Sequence, residues 1–268
     1  MTKKDAYIKE FQYYYDIVEK MKLANRFNIM KYYVTYCIEF ASTILKLQTS
    51  NSEIAKWNGV ISSLRLLLKN NYTPIPLNPV DFCKCIESTV FTISGNGCCG
   101  TCSLVAKKDN NYYFMTNRHV ASEDVNYVIE SCNKSFRTNA KIYKVSDVHD
   151  IAVVIAKIPK NTELLVPTIF AKDDLKKGMN LYILGNNGGL GLSFLGGYLS
   201  AEYENKILID METKHGSSGS PIFDKYGSVI GLNVGDLGEV PFGLNLKTIK
   251  NFLESCGLTI QQQNPVKY

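Results

Sequence analysis

Asn70-Asn71-Tyr72-Thr73-Pro74-Ile75-Pro76-Leu77-Asn78-Pro79 divides this chain of 268 residues into two regions with different periods. Its three prolines fix φ, remove backbone donors and push the residues before them toward extended conformations, so no helix continues through it. On the N-terminal side, Ile8, Phe11, Tyr15 and Val18 fall on one helical face. Ile29, Tyr33, Tyr36, Phe40, Ile44 and Leu47 repeat the pattern, and Ile54, Trp57, Ile61, Leu64 and Leu68 repeat it again. Thr49-Ser50-Asn51-Ser52 breaks the second run and offers an N-cap to the third. Residues 1–72 therefore read as a three-helix antiparallel bundle, with the aromatic stripe as its core. Residues 73–80 read as a linker.

Beyond the linker the period shortens to two. Strand-like runs occur at Val90–Ile93, Ser103–Ala106, Tyr112–Thr116, Tyr127–Ile129 and Lys141–Val145. They continue at Ile151–Ala156, Leu181–Leu184, Tyr198–Ala201, Lys206–Ile209 and Val229–Val234, with turn residues between them. Strands at this spacing without intervening helices predict a β-sandwich or barrels over residues 81–268. A helical run, Lys247–Ser255, follows near the end of the chain. The fold class is thus α+β.

Composition narrows the function. Hydrophobic residues make up 45% and charged residues 21%, and the net charge is +5. That charge is mild, and no run of five Lys or Arg residues marks a nucleic-acid surface. No segment approaches the roughly 18 apolar residues of a membrane span. The N-terminal MTKKDAYIKEFQYYYDIVEK is charged throughout, unlike a secretory leader, and predicts a cytoplasmic location, the host's cytoplasm if the chain is viral. In a reducing compartment the eight cysteines are expected to be free thiols. Cys83-x-Cys85 with Cys98-Cys99-x-x-Cys102 has the raw material of a tetrathiolate zinc site, but it lacks two regular CxxC knuckles. Small buried hydrophobes is the plainer reading, with no metal or cofactor.

Chemistry concentrates in three places. Gly216-Ser217-Ser218-Gly219-Ser220-Pro221 lies between apolar strands. Glycines on both sides permit a tight turn that presents the Ser218 hydroxyl, and the N–H groups of Gly216 and Ser218 are placed to converge as an oxyanion hole. A Gly/Ser hairpin without chemistry has the same composition. His119 follows the strand-like Tyr112–Thr116, an end position suited to a base. Asp150 opens the apolar strand beginning at Ile151, where a partly shielded carboxylate fixes a histidine tautomer and stabilises the imidazolium. Asp147 competes with Asp150, and His149 and His215 compete with His119, although each of these two adjoins another candidate.

These segments resemble one family. Gly100-Thr101-Cys102-Ser103-Leu104-Val105 leading to Thr116-Asn117-Arg118-His119-Val120 resembles the histidine segment of trypsin-like serine peptidases, and its T-N-x-H-V pattern is that of the HtrA/Deg branch. Asp150-Ile151-Ala152-Val153 is similar to that branch's aspartate strand, and Gly178–Asn186 to its G-x-x-V-x-x-I-G-N segment. Gly216–Pro221 followed by Gly227–Asn233 is similar to its serine segment. The order His, Asp, Ser is that of the chymotrypsin fold. The resemblance implies two antiparallel β-barrels with a site between them. It further implies a serine endopeptidase in which Ser218 is nucleophile, His119 base then acid, and Asp150 the orienting acid. No PDZ segment follows, and the helical region has no counterpart in the family core.

Specificity is carried by less. The resemblance puts Glu212, six residues before the nucleophile, near the base of the pocket for the residue preceding the scissile bond. A carboxylate there selects Lys or Arg, whereas a surface glutamate is the plainer reading. Asn233 belongs to a strand lining the same pocket. The expected partners are a protein or peptide substrate and a protein, or a second copy, bound through the N-terminal helices. The alternative is a catalytically silent peptidase fold whose helices mediate assembly.

Overall fold

The computed structural model describes residues 2–23, 27–69, 76–108, 110–158, 167–172, 175–236 and 240–262. The chain divides into two compact units, one N-terminal to Pro76 and one from Pro76 onward. Of the expected linker, residues 73–75 fall outside the described residues, as does the side chain of Ile29.

The N-terminal unit contains α1 (Lys3–Leu23), α2 (Phe27–Lys46) and α3 (Asn51–Lys69). Thr2 and Asp5 cap α1 reciprocally: each backbone N–H donates to the other's side chain, at 2.8 and 3.1 Å. Phe11, Val18, Tyr33, Val34, Ile44, Trp57, Ile61 and Leu64 form the buried faces. The Phe11 ring meets Trp57 edge-on at 5.1 Å between centroids. On α2 the fully buried line is Met30, Val34, Cys37, Ala41 and Ile44, while Tyr36 and Phe40 are half-buried. The predicted stripe is therefore displaced toward the smaller residues, because close helix packing favours Ala and Cys where backbones approach.

The second unit begins with a helix that the proline-based reading assigned to the linker and strand regions. In α4 (Pro79–Ile86) the Asn78 side chain accepts from the Asp81 N–H at 3.0 Å, and Pro79 occupies the first turn. Proline stops a helix arriving from its N-terminal side but suits the first position of a new one. Phe82 and Ile86 then enter the core completely.

The first barrel closes in the order β1-β2-β3-β6-β5-β4, from β1 (Val90–Gly95), β2 (Cys98–Lys108), β3 (Asn111–Thr116), β4 (Tyr127–Ser131), β5 (Arg137–Val145) and β6 (Ala152–Lys157). The second is built from β8 (Asn180–Gly185), β9 (Ser193–Glu202), β10 (Lys206–Asp210), β11 (Pro221–Phe223), β12 (Ser228–Asp236) and β13 (Pro241–Asn245), and pairing of β11 with β12 closes it. Two short strands, β7 (Ile169–Phe170) and β14 (Gln261–Gln262), add to it in parallel. Asn245 caps α5 (Leu246–Ser255) by accepting from the Thr248 N–H. This is the expected double β-barrel with N-terminal helices and a C-terminal helix. β7, β11, β13 and β14 are too short, or too rich in Pro and Gly, to show a period.

Strand β3 explains how the barrels meet. Tyr112 and Phe114 face the interior of the first barrel with Leu104 and Val154. Tyr113 and Met115 face the other way with Val105 and Val153, into one continuous core with Leu181, Ile183, Ile222 and Leu232 of the second. Both faces of one strand are buried, so its sequence reads as an unbroken apolar run rather than an alternation. The ends of these shared strands carry the loops that hold the candidate site.

All eight cysteines are free thiols. Cys83 and Cys85 lie on α4, and Cys98 and Cys99 on the exposed start of β2. Cys102 is inside the first barrel, where burial pushes its thiol well above the ordinary value. Among the described residues no three metal-ligating side chains gather into a site.

Candidate active site

His119 sits in the tight turn after β3, where the Ala121 N–H closes onto the Asn117 carbonyl at 3.1 Å. Asp150 sits at the end of the Ser146–Asp150 loop, just before β6. Ser146 shapes that loop, its Oγ accepting from the N–H groups of Val148 and His149. Two neighbours of His119 then tie the loop to the histidine turn. Asn117 Nδ2 donates to the Asp150 carbonyl at 2.9 Å, and Arg118 Nη1 donates to the carbonyls of Ser146 and Asp147 at 3.0 Å each.

The Asp150 carboxylate grips His119 twice. Oδ1 accepts from the backbone N–H at 3.0 Å, and Oδ2 lies 2.6 Å from Nδ1. With Nδ1 donating, the proton-free nitrogen is Nε2. The imidazole is half exposed, at 49%, and the carboxylate is the more shielded partner at 23%. Burial raises the Asp150 pKa, but the hydrogen bonds from the His119 ring and backbone, with the charges of His119 and Arg118, outweigh it and hold the carboxyl below its ordinary value. A depressed folded-state pKa stabilises the fold above the unfolded carboxyl pKa, and that contribution is lost as pH falls through the folded value. Asp150→Asn is therefore expected to lower Tm near neutral pH, with the gap to wild type closing below about pH 4. Thermal melts of both proteins across that range check it, and a gap that persists in acid would contradict the pairing.

Ser218 is presented by the Met211–Ser220 loop between β10 and β11. Gly216 has φ +92° and Gly219 φ +82°, both in the left-handed region. The loop is held from three sides. Ser217 Oγ donates to the Lys214 carbonyl at 2.7 Å, and Asn233 Nδ2 donates to the Ser217 carbonyl at 3.0 Å. From β2, the Thr101 N–H donates to the Ser218 carbonyl at 2.8 Å, while Thr101 Oγ1 donates to the Gly216 carbonyl at 2.9 Å. The same oxygen accepts from the Asn186 N–H at 2.9 Å. From the loop after β8, the Gly188 N–H donates to the His215 carbonyl, and Asn187 Oδ1 accepts from the Lys214 N–H. Among the described residues, the N–H groups of Gly216 and Ser218 have no hydrogen-bond acceptor.

The Ser218 hydroxyl donates to the Val234 carbonyl at 3.1 Å, so the hydrogen bond expected between Ser218 and His119 is not the one formed. Val234 and His119 nevertheless line one cleft of about 610 Å³, with Arg118, Ser122, Val148, His149, Asp150, Asn205, Lys206, Phe242 and Leu244. The cleft lies between the two barrels. His119 and Asp150 are thus brought together directly, whereas Ser218 is linked to their cleft through its hydrogen bond to Val234.

Two pocket expectations need correction. Glu212 is not at the base of a pocket: its side chain is 84% exposed, 3.8 Å from Lys214. Met211 turns inward at that point and sends its neighbour out. Asn233 is fully buried and holds the serine loop through Ser217, so it does not line a pocket. Thr101, Asn117, Arg118 and Asn186 were missed as site residues. All four lie inside the segments that carried the resemblance, but their hydrogen bonds run to residues distant in sequence, which a linear motif does not express.

Residues 100–232 match the family model of the trypsin-like peptidase domain. A probable periplasmic serine endoprotease DegP-like of Bartonella henselae is 30% identical over 129 residues, covering 45% of this chain and 25% of that protein. The protein of the same description from Brucella suis is 32% identical over 130 residues, with the same coverage. The chain therefore spans about a quarter of the length of the curated relatives it matches. The crystal structure of the serine endoprotease from Yersinia pestis superposes with a TM-score of 0.59 at 18% identity, over 68% of this chain and 67% of that one, which fixes the double-barrel fold. The cytoplasmic location expected from the charged N-terminus is overturned, because these relatives are named periplasmic endoproteases. The charge pattern of the first twenty residues does not decide the compartment.

Proposed function

We propose, starting from the match of residues 100–232 to the trypsin-like peptidase domain, that this chain is a serine endopeptidase acting through Ser218, His119 and Asp150. The observation that carries the proposal is the double grip of Asp150 on His119, which leaves Nε2 free as a base on the cleft that Val234 shares. This chemistry requires the Ser218 hydroxyl to leave the Val234 carbonyl and turn to Nε2. His119 then accepts its proton as Oγ bonds to the scissile carbonyl carbon. The carbonyl oxygen, now negative, receives the N–H groups of Gly216 and Ser218. Collapse breaks the C–N bond, His119 protonates the departing amine, and an acyl ester remains on Ser218. Water, deprotonated by His119, hydrolyses that ester and restores the serine. Asp150 keeps its charge throughout and stabilises the imidazolium.

Residues 81–268 are the catalytic part in this reading. Residues 1–72 serve as an interaction or self-association module, joined by residues 73–80. A catalytically silent fold is the second reading, favoured by the Ser218–Val234 hydrogen bond. Fluorophosphonate labelling separates the two. The endopeptidase reading requires covalent labelling of wild type that Ser218→Ala abolishes, and unlabelled wild type would sink it.

Thr101 is a positioning residue in the same reading. Thr101→Val keeps the shape but leaves the buried Gly216 carbonyl and Asn186 N–H without partners. At about 1–3 kcal/mol for each such group, kcat is expected to fall about 10- to 100-fold with KM little changed, and Thr101→Ser should restore most of it. Steady-state kinetics on the three proteins test this. Equal losses with Val and Ser would remove the hydroxyl from the argument.

A further inference from the structure

We propose that the cleft beside His119 is a recognition subsite for an acidic side chain of the substrate, with Lys206 and Arg118 as its specificity residues. The inference rests on the endopeptidase reading and adds a substrate class to it. Two permanent cations line this cleft, and the one carboxylate among its lining residues is Asp150. Both Asp150 oxygens are already taken by His119. Lys206 is half-buried on β10, and its ammonium lies 5.0 Å from the centroid of the Phe242 ring, a cation–π contact that fixes the charge over an apolar floor. Arg118 uses Nη1 on the Ser146 and Asp147 carbonyls, and a guanidinium has five donors, so its remaining N–H groups are available to a ligand.

The nearby acids are committed elsewhere or lie outside the cleft. Glu202, across from Ile207 on β9, has its Oε1 3.5 Å from Asn245 Nδ2. Among the described residues neither cation forms an ion pair with another carboxylate. Val148, Val234, Phe242 and Leu244 supply the apolar part of the lining, beside the polar Ser122, His149 and Asn205. The cleft is open, with Val148 79% exposed, so its apolar side chains suit the methylene stem of a glutamate while salt still screens a charge pair there.

The test uses the whole chain and internally quenched peptides carrying Gln, Glu or Lys at each of three positions on either side of a cleaved bond. At one position at least, Glu is expected to exceed Gln by about five-fold in kcat/KM, in the range of a partly exposed ion pair. That advantage should shrink between about 0.05 and 0.5 M salt. Lys206→Glu should invert it, so that Lys becomes the preferred residue there. A binding arm needs no hydrolysis: Ser218→Ala should bind a fluorescent Glu peptide about five-fold more tightly than its Gln counterpart, read by anisotropy. Cleavage with no position favouring Glu, a preference unchanged by Lys206→Glu, or equal binding of the two peptides by Ser218→Ala overturns the subsite. Loss of all cleavage and labelling with the binding preference intact overturns the endopeptidase reading alone.

Discussion

His119→Ala is expected to reduce turnover of a cleavable peptide by about 10⁴- to 10⁶-fold. In the proposed chemistry the imidazole both removes the Ser218 proton and returns it to the leaving amine, and among the described residues no other side chain is held where Asp150 holds it. His149 also lines the cleft, but it sits on the aspartate loop beside Asp150 rather than across from it. The fold should survive the change. The His119 side chain is half exposed, and the Asp150 Oδ1 bond to the residue 119 backbone does not involve the ring. Non-additivity is the sharper signature. If Ser218 and His119 work as a unit, the double variant His119→Ala/Ser218→Ala should be no slower than either single one, because the residual rate comes from the oxyanion donors and substrate binding. Purified proteins, a sensitive quenched peptide and an active-site titration measure this. A His119→Ala protein with more than about a tenth of wild-type kcat would remove the residue from the chemistry.

Gly216→Ala carries the second large effect, and it acts through space as well as conformation. A Cβ at Gly216 falls 2.3 Å from the Asn186 carbonyl oxygen and 3.2 Å from the Gly189 nitrogen, and φ of +92° disfavours any L side chain. The contact is with backbone, so the loop has to move. The group that moves with it is the Gly216 N–H, one of the two proposed oxyanion donors. Loss of one such donor lowers kcat by about 10²–10³-fold, and the displaced loop should add a fall in Tm. Gly59→Ala is the matched control. It lies in α3, a Cβ there meets nothing within 4 Å, and replacing a helical glycine stabilises by up to about 1 kcal/mol. Gly216→Ala with wild-type kcat would mean that the oxyanion is stabilised elsewhere.

What could be read in advance follows from what kind of order each residue obeys. His119 and Asp150 stood out as candidates because both adjoin strongly apolar strands, where an unbroken apolar run stops and a polar residue is conspicuous. Ser218 was legible through its glycines, which the positive φ values at residues 216 and 219 now account for. For Glu212 the pocket and the surface were both left open, with the surface the plainer reading, because it sits in an irregular loop where no period fixes side-chain direction. Asn233 lies on the expected strand, but the register of β12 against β13 shifts between Asn233 and Gly235, so alternation is no guide to what it faces. The helix α4 was hidden by Pro79, whose meaning reverses according to which side of it the helix lies. The rotamer of Ser218 was beyond the sequence altogether, since a linear motif does not say which acceptor the hydroxyl takes.

The hydrogen bond from Thr101 to the Gly216 carbonyl joins residues 115 positions apart, one in each barrel. A ribosome finishes the first barrel long before residue 216 exists, and the serine loop has no fixed shape until β2 is there to receive it. A chain still being made, or one partly unfolded, therefore lacks an organised oxyanion loop. Loosening of the first barrel alone is therefore expected to disorganise a loop that belongs to the second.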